Sequence, residues 1–134
     1  MVDKKRGLIM KYIRTIYGKK IMDVSKLKYV GETDTSYMFC KVYKNGKESK
    51  VIKCFTKKVI LKTADTIEEL CDKWVFDNKF GEKNVIKDID FCSLETMKRR
   101  FDKGLITNVR LAIWTDKGLI FVARMNNKGE LKLL

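Results

Sequence analysis

The chain contains no histidine and no proline. The first absence removes imidazole general bases, Ser-His and Cys-His nucleophiles and histidine metal sites together. Four cysteines (Cys40, Cys54, Cys71 and Cys92) stand 14, 17 and 21 residues apart with no C-x-x-C pair. That spacing argues against a structural zinc site. Each lies in an apolar or strand-like stretch, where a reduced buried thiol is the commoner state, so free thiols are expected. The 8 glycines are scattered among turns and form no phosphate-cradling loop. Long apolar runs are also missing: Lys11 and Arg14 interrupt the first one, so neither an export leader nor a spanning helix is expected.

What the chain has in excess is positive charge. Its 134 residues hold 30 Lys and Arg against 17 Asp and Glu, a net of +13, with 45% hydrophobic residues to build a core. The size suits one compact domain, residues 1–134. Within it the charge is uneven. Residues 1–62 carry +12, residues 63–92 carry −4 and residues 93–134 carry +5. A basic half (1–62) and a C-terminal unit (93–134) are thus joined by an acidic stretch (63–92). Such asymmetry fits binders of nucleic acid, acidic proteins or other anionic partners.

Hydrophobic spacing predicts a helix over 4–17, with Leu8, Ile9, Tyr12, Ile13, Ile16 and Tyr17 on one stripe. Strands are expected at 21–30, 36–43 and 49–55, the last two joined by an Asn45-Gly46 hairpin turn, with a short apolar run at 59–62. A second helix should start at Asp65 or Thr66 and bury Ile67, Leu70, Cys71, Trp74 and Val75. After a loop at 77–84, residues 85–91 read as a strand. Ser93 caps a basic helix carrying Leu94, Met97 and Phe101, which Gly104 ends. A three-stranded meander follows, with Val109, Leu111 and Ile113 alternating, then Leu119, Phe121 and Ala123, then Leu131 and Leu133. The expected fold class is α+β: antiparallel sheets, namely a hairpin and a C-terminal meander, packed with two to three helices. Residues 37–51 and 119–133 can also be overlaid, which would make the chain two related helix-plus-meander halves.

The candidate binding residues are three basic groups: Lys4, Lys5, Arg6, Lys11, Arg14, Lys19 and Lys20; Lys57, Lys58 and Lys62; and Lys98, Arg99, Arg100 and Lys103. Several cations along one backbone path bind phosphates by releasing counterions. Tyr12, Tyr17, Tyr37 and Tyr43 offer rings on which single-stranded bases can stack. The strand-rich order of residues 4–76 between two helices resembles the double-stranded-RNA-binding domain. That domain's second helix opens on lysines, whereas this one opens on Asp65, Glu68 and Glu69, so the assignment is rejected.

Two sets of carboxylates share one spacing. Asp34 precedes Glu48-Ser49-Lys50, and Asp116 precedes Glu130-Leu131-Lys132, by the same 14 residues. This is similar to the PD-(D/E)xK nuclease pattern, in which carboxylates hold Mg²⁺ and lysine positions the attacking water without any histidine. Here no proline precedes either Asp, and Glu48 lies at a hairpin turn. The chain is therefore expected to be non-enzymatic, with no catalytic residue, no metal and no cofactor.

Thr63 to Asp72 (TADTIEELCD) and Ala112 to Ala123 (AIWTDKGLIFVA) resemble segments of small uncharacterised proteins from phages and mobile elements of low-GC bacteria. The resemblance implies an accessory or host-interaction role in the cytoplasm of a bacterial host, including anti-CRISPR-like inhibition of a defence nuclease. It transfers no functional residue. The leading expectation is a small basic protein that docks on nucleic acid or a nucleoprotein complex without inserting into a membrane. The alternative is an anti-CRISPR-like inhibitor that uses the same cations on an acidic protein surface, and the third reading is the metal-dependent PD-(D/E)xK-like nuclease.

Overall fold

A computed structural model describes residues 10–17 and 20–134, which form eleven strands and one α-helix. The strands make three antiparallel sheets. The first has the order β2-β1-β6, from β1 (Tyr12–Thr15), β2 (Ile21–Asp23) and β6 (Ile60–Ala64). The second is a meander of β3 (Leu27–Glu32), β4 (Ser36–Val42) and β5 (Glu48–Thr56). β2 leads into β3 through a tight corner where the Asp23 carboxylate accepts from the Ser25 N–H at 2.9 Å, and a single 3₁₀ turn, Lys57–Val59, leads from β5 into β6. Between these two sheets Met10, Ile13, Val24 and Phe39 form one small core. Phe39 meets the rings of Tyr29 and Phe55 edge-on, with centroids 5.8 and 5.4 Å away, the geometry that ring quadrupoles favour.

The third sheet has the order β11-β10-β9-β7-β8. Its strands are β7 (Lys73–Asn78), β8 (Val85–Asp88), β9 (Ile106–Thr115), β10 (Gly118–Met125) and β11 (Leu131–Leu133). Helix α1 (Leu94–Asp102) covers one face. Met97 of the helix is fully buried among Trp74, Leu111 and Ile113, while Leu94 and Phe101 pack at the margin. As expected from the sequence, the Ser93 hydroxyl accepts from the Thr96 N–H at 3.2 Å, and Gly104 ends the helix at φ 72°.

The α+β expectation with two to three helices is overturned: among the described residues the protein is mostly antiparallel sheet with a single α-helix. Residues 4–9 of the first expected helix lie outside the described residues, and Tyr12–Thr15 is a strand. The second expected helix is one 3₁₀ turn, Glu68–Leu70, followed by β7. Its start signal is real, since the Thr66 hydroxyl donates to the Glu69 carboxylate at 2.7 Å. The turn then stops because Trp74, Val75 and Phe76 are all buried in an inner strand that pairs on both sides. Continuous burial of a strand between neighbours mimics the wide stripe of a helix.

The two helix-plus-meander halves are overturned as well. Both overlaid segments are antiparallel hairpins, but among the described residues an α-helix precedes only the second meander. β9, β10 and β11 also share their sheet with β7 and β8, whereas β3, β4 and β5 form a sheet of their own. In β10 the alternation changes phase. A bulge sets Phe121 opposite Ala112 and Ala123 opposite Leu111, so Val122 is the extra residue, and Val122 and Ala123 are buried in succession. The four cysteines are unpaired as expected, but Cys54 is exposed. No helix among the described residues is long and apolar enough to cross a membrane.

Candidate nucleic-acid interface

The three expected basic groups fare differently. Lys4, Lys5, Arg6 and Lys19 lie outside the described residues. Lys11, Lys20 and Lys58 are exposed. Arg14 is largely buried instead: its guanidinium donates to both Asp72 carboxylate oxygens, at 3.0 and 3.1 Å, and to the Leu70 carbonyl at 3.1 Å. Lys57 pairs with Glu32 and lies over the Tyr37 ring, 4.9 Å from its centroid, and Lys62 donates to the Glu69 carbonyl at 2.9 Å. On α1, Arg99 and Arg100 are exposed, while Lys98, Arg99 and Lys103 share a shallow hollow with Glu95 and Asp102, which offset their charge.

Neither carboxylate set converges. Asp34 lies in the β3–β4 connection, at the end of β4 that pairs Ser36 with Thr56, and Glu48 faces Val42 at the other end. Asp116 and Glu130 likewise flank opposite ends of β10, which pairs Gly118 with Thr115 and Met125 with Leu131. Four or more strand residues, about 3.3 Å each, separate the two acids of each set, well beyond a shared ion. Among the described residues no group of three or more metal-ligating acids or cysteines is gathered.

The structure instead assembles a basic surface on the β4–β5 hairpin. Residues 41–53 contain Lys41, Lys44, Lys47, Lys50 and Lys53 against one acid, Glu48. All five lysines are exposed, and none forms an ion pair among the described residues. Glu48 is engaged by Lys28 of β3, and that contact raises the Lys28 pKa, chiefly through the side-chain hydrogen bond. The hairpin turn follows from Asn45-Gly46. Tyr43 and Lys47 close it at 2.8 Å, the Gly46 N–H returns to the Tyr43 carbonyl at 2.9 Å, the Asn45 side chain accepts from the Lys47 N–H, and Gly46 takes φ 84°.

A bulge shapes the surface further. Cys40 pairs with Ile52 and Val42 with Glu48, so Ser49, Lys50 and Val51 stand against the single residue Lys41. Such an insertion bends the strand. The result is a hollow of about 240 Å³ lined by Lys41, Tyr43, Ser49, Val51 and Lys53. Two of its walls are apolar and open: Tyr43 is 54% exposed and Val51 71%. Of the four expected stacking tyrosines, Tyr12 and Tyr37 pack against cores, Tyr17 is exposed, and Tyr43 lines the hollow between Lys41 and Lys53.

The acidic stretch gathers elsewhere. Two adjoining hollows of about 480 and 490 Å³ share Asp72 and Asp90, the first adding Asp88, Lys73 and Trp114, the second Glu68, Glu69, Arg14 and Lys62. Burial works to raise the Asp72 pKa, but the Arg14 guanidinium and the Trp114 N–H, which donates at 2.8 Å, outweigh it and hold the carboxyl below its ordinary value. Burial pushes the neighbouring Cys71 thiol up to about 12, which keeps it protonated at neutral pH.

The chain matches no known protein family, no curated protein and no solved structure.

Proposed function

We propose that the protein is a small non-enzymatic binding protein that docks on nucleic acid, or on a nucleoprotein complex, through the β4–β5 hairpin. The observation that carries this reading is a hairpin with five exposed lysines, none in an ion pair among the described residues, two of which, Lys41 and Lys53, line an open hollow together with Tyr43. Lys41 and Lys53 flank the hollow from the two paired strands, and Lys44, Lys47 and Lys50 extend the positive surface around the turn, an arrangement that holds phosphates without reading bases. The N-terminal and α1 cations add long-range attraction rather than the contact surface.

The test is fluorescence anisotropy with labelled oligonucleotides across a salt series. Five phosphate contacts predict a log–log salt slope of about −3.5 to −4.5, roughly a hundredfold or more loss of affinity between 50 and 200 mM salt. Replacing Lys41, Lys44, Lys47, Lys50 and Lys53 together with Gln should flatten that slope. Affinity that ignores salt, or a variant that binds as the parent does, would end the reading.

A second reading, an inhibitor of a host enzyme, is favoured by a different observation. On the face of the five-stranded sheet opposite α1, large side chains stay open among the described residues: Trp114 and Ile86 are 58% and 50% exposed, and Arg110 lies over the Phe121 ring at 4.5 Å. Pull-down from a bacterial lysate with and without nuclease treatment separates the two. A stoichiometric protein partner that survives treatment favours inhibition, and partners lost on treatment favour direct nucleic-acid binding.

A further inference from the structure

We infer that the ligand of the β4–β5 hairpin is single-stranded nucleic acid, with one base seated on the Tyr43 ring and the flanking phosphates on Lys41 and Lys53. This rests on the nucleic-acid reading and narrows it. Cations alone would serve a duplex or a single strand equally, so the discriminating features are the ones that are not charged. Tyr43 and Val51 expose apolar surface in the middle of a lysine-rich hairpin, at the wall of a hollow that the bulge at Ser49–Val51 opens. In a duplex the faces of the bases are stacked inside and no protein ring reaches them; a single strand leaves them free to stack. A concave site of about 240 Å³ also suits a splayed base, whereas a hairpin that reads a duplex enters its major groove as a convex ribbon.

The backbone that carries the ring is fixed. Both backbone polar groups of Tyr43 are fixed in the turn, its N–H on the Lys47 carbonyl and its carbonyl under the Gly46 N–H. A fixed backbone lowers the ordering needed on binding. Ser49 accepts from the Val51 N–H at 3.1 Å, which leaves its hydroxyl proton to donate to a phosphate or a base edge at the same hollow.

The experiment uses the full chain and three labelled probes of equal phosphate number: a twelve-residue oligo-dT, the same strand with every base removed, and a duplex. Oligo-dT should bind about tenfold more tightly than the abasic strand, the worth of one stacked base, and more tightly than the duplex. Tyr43→Ala should erase that difference and Tyr43→Phe should keep it, with circular dichroism showing both variants folded. Lys41→Gln with Lys53→Gln should weaken all three probes together. If oligo-dT and the abasic strand bind equally, or Tyr43→Ala binds oligo-dT as the parent does, the seated base is wrong while lysine-dependent binding upholds the broader reading. If no probe binds at low salt, both fall.

Discussion

The Arg14 guanidinium grips both oxygens of the Asp72 carboxylate, and so ties β1 of the first sheet to the residue that leads into β7 of the five-stranded sheet, 58 positions away. A planar fork on a carboxylate is among the strongest polar contacts a side chain makes. Asp72 also accepts from the Trp114 N–H of β9, so one carboxylate joins three strands' worth of chain. Arg14 is therefore a structural cation, not part of a free basic face. Arg14→Gln should destabilise the fold by about 1–2 kcal/mol, the lower part of the range for charged hydrogen bonds because Asp72 keeps a third of its side chain in water. Urea denaturation gives the stability and oligonucleotide anisotropy the binding, which should change little. Unchanged stability would show that the pair does not hold the sheets together.

The same pair predicts a pH dependence. The Asp72 pKa is lower in the folded protein than in an unfolded chain, and so is that of Asp77, mainly through the Asn84 N–H. A depressed carboxyl stabilises the fold above the unfolded value, about 3.9, and that stability is lost as pH falls through the folded value. Melting temperature should hold from neutral pH down to about 5 and fall steeply below 4. Asp72→Asn should lower it at neutral pH and make the acid limb shallower. An equal acid slope in parent and variant would show that Asp72 contributes nothing to it.

Met97 is the fully buried residue of α1, in the same apolar cluster as Trp74 and Leu111 of the sheet. Trp74 is fixed in turn by its indole N–H, which donates to the Cys92 carbonyl at 2.7 Å just before the helix cap. Met97→Ala should cost about 2–5 kcal/mol, the usual range for emptying a core position. Equilibrium urea unfolding followed by tryptophan fluorescence would measure it, and a loss under 1 kcal/mol would place the helix outside the stabilising core.

Much of the local structure was readable from the residues, and the failures have physical causes. Asn45-Gly46, Ser93 with Gly104, and the turns at Asp116 and Asn126 all stand where their chemistry puts them, because caps and tight turns depend on neighbours a few positions apart. Trp74-Val75-Phe76 was misread because burial on both faces is a tertiary fact. The hairpin lysines form no dense run of the kind seen at Lys4-Lys5-Arg6 and Lys98-Arg99-Arg100, so local charge density does not mark them. Lys41 and Lys53 are twelve residues apart, and only the hairpin and its bulge bring them to one hollow. Their signal was the spacing: a lysine every third residue from 41 to 53, on both sides of an Asn-Gly turn, with one acid among them.

Gly46 links turn chemistry to the binding surface. It stands at φ 84°, where a side chain would meet no atom within 4 Å, so strain rather than crowding sets the effect of substitution. Gly46→Ala should cost about 1–2 kcal/mol and release the backbone of Tyr43, lowering both thermal stability and oligo-dT affinity. A variant with parental affinity would show that the turn does not preset the Tyr43 ring.

Glu48 separates binding from cleavage most cleanly. It is the single acid of the hairpin, and its carboxylate is taken up by Lys28, which in turn cannot lend its full charge to a ligand. Glu48→Gln removes one negative charge and frees the Lys28 ammonium. A binding surface predicts a gain: oligonucleotide affinity should rise several-fold at low salt, with a salt slope steeper by about 0.7–0.9 for one added phosphate contact. A metal-dependent nuclease predicts the reverse, because Glu48 would be a ligand whose loss abolishes Mg²⁺-dependent cleavage. Its separation from Asp34 by the length of β4 favours the first outcome. The decisive measurement pairs anisotropy in EDTA with a gel assay of the same labelled strand in Mg²⁺. Intact strand throughout and tighter binding by the variant are expected; cleavage by the parent that disappears in the variant would make this hairpin a catalytic site instead.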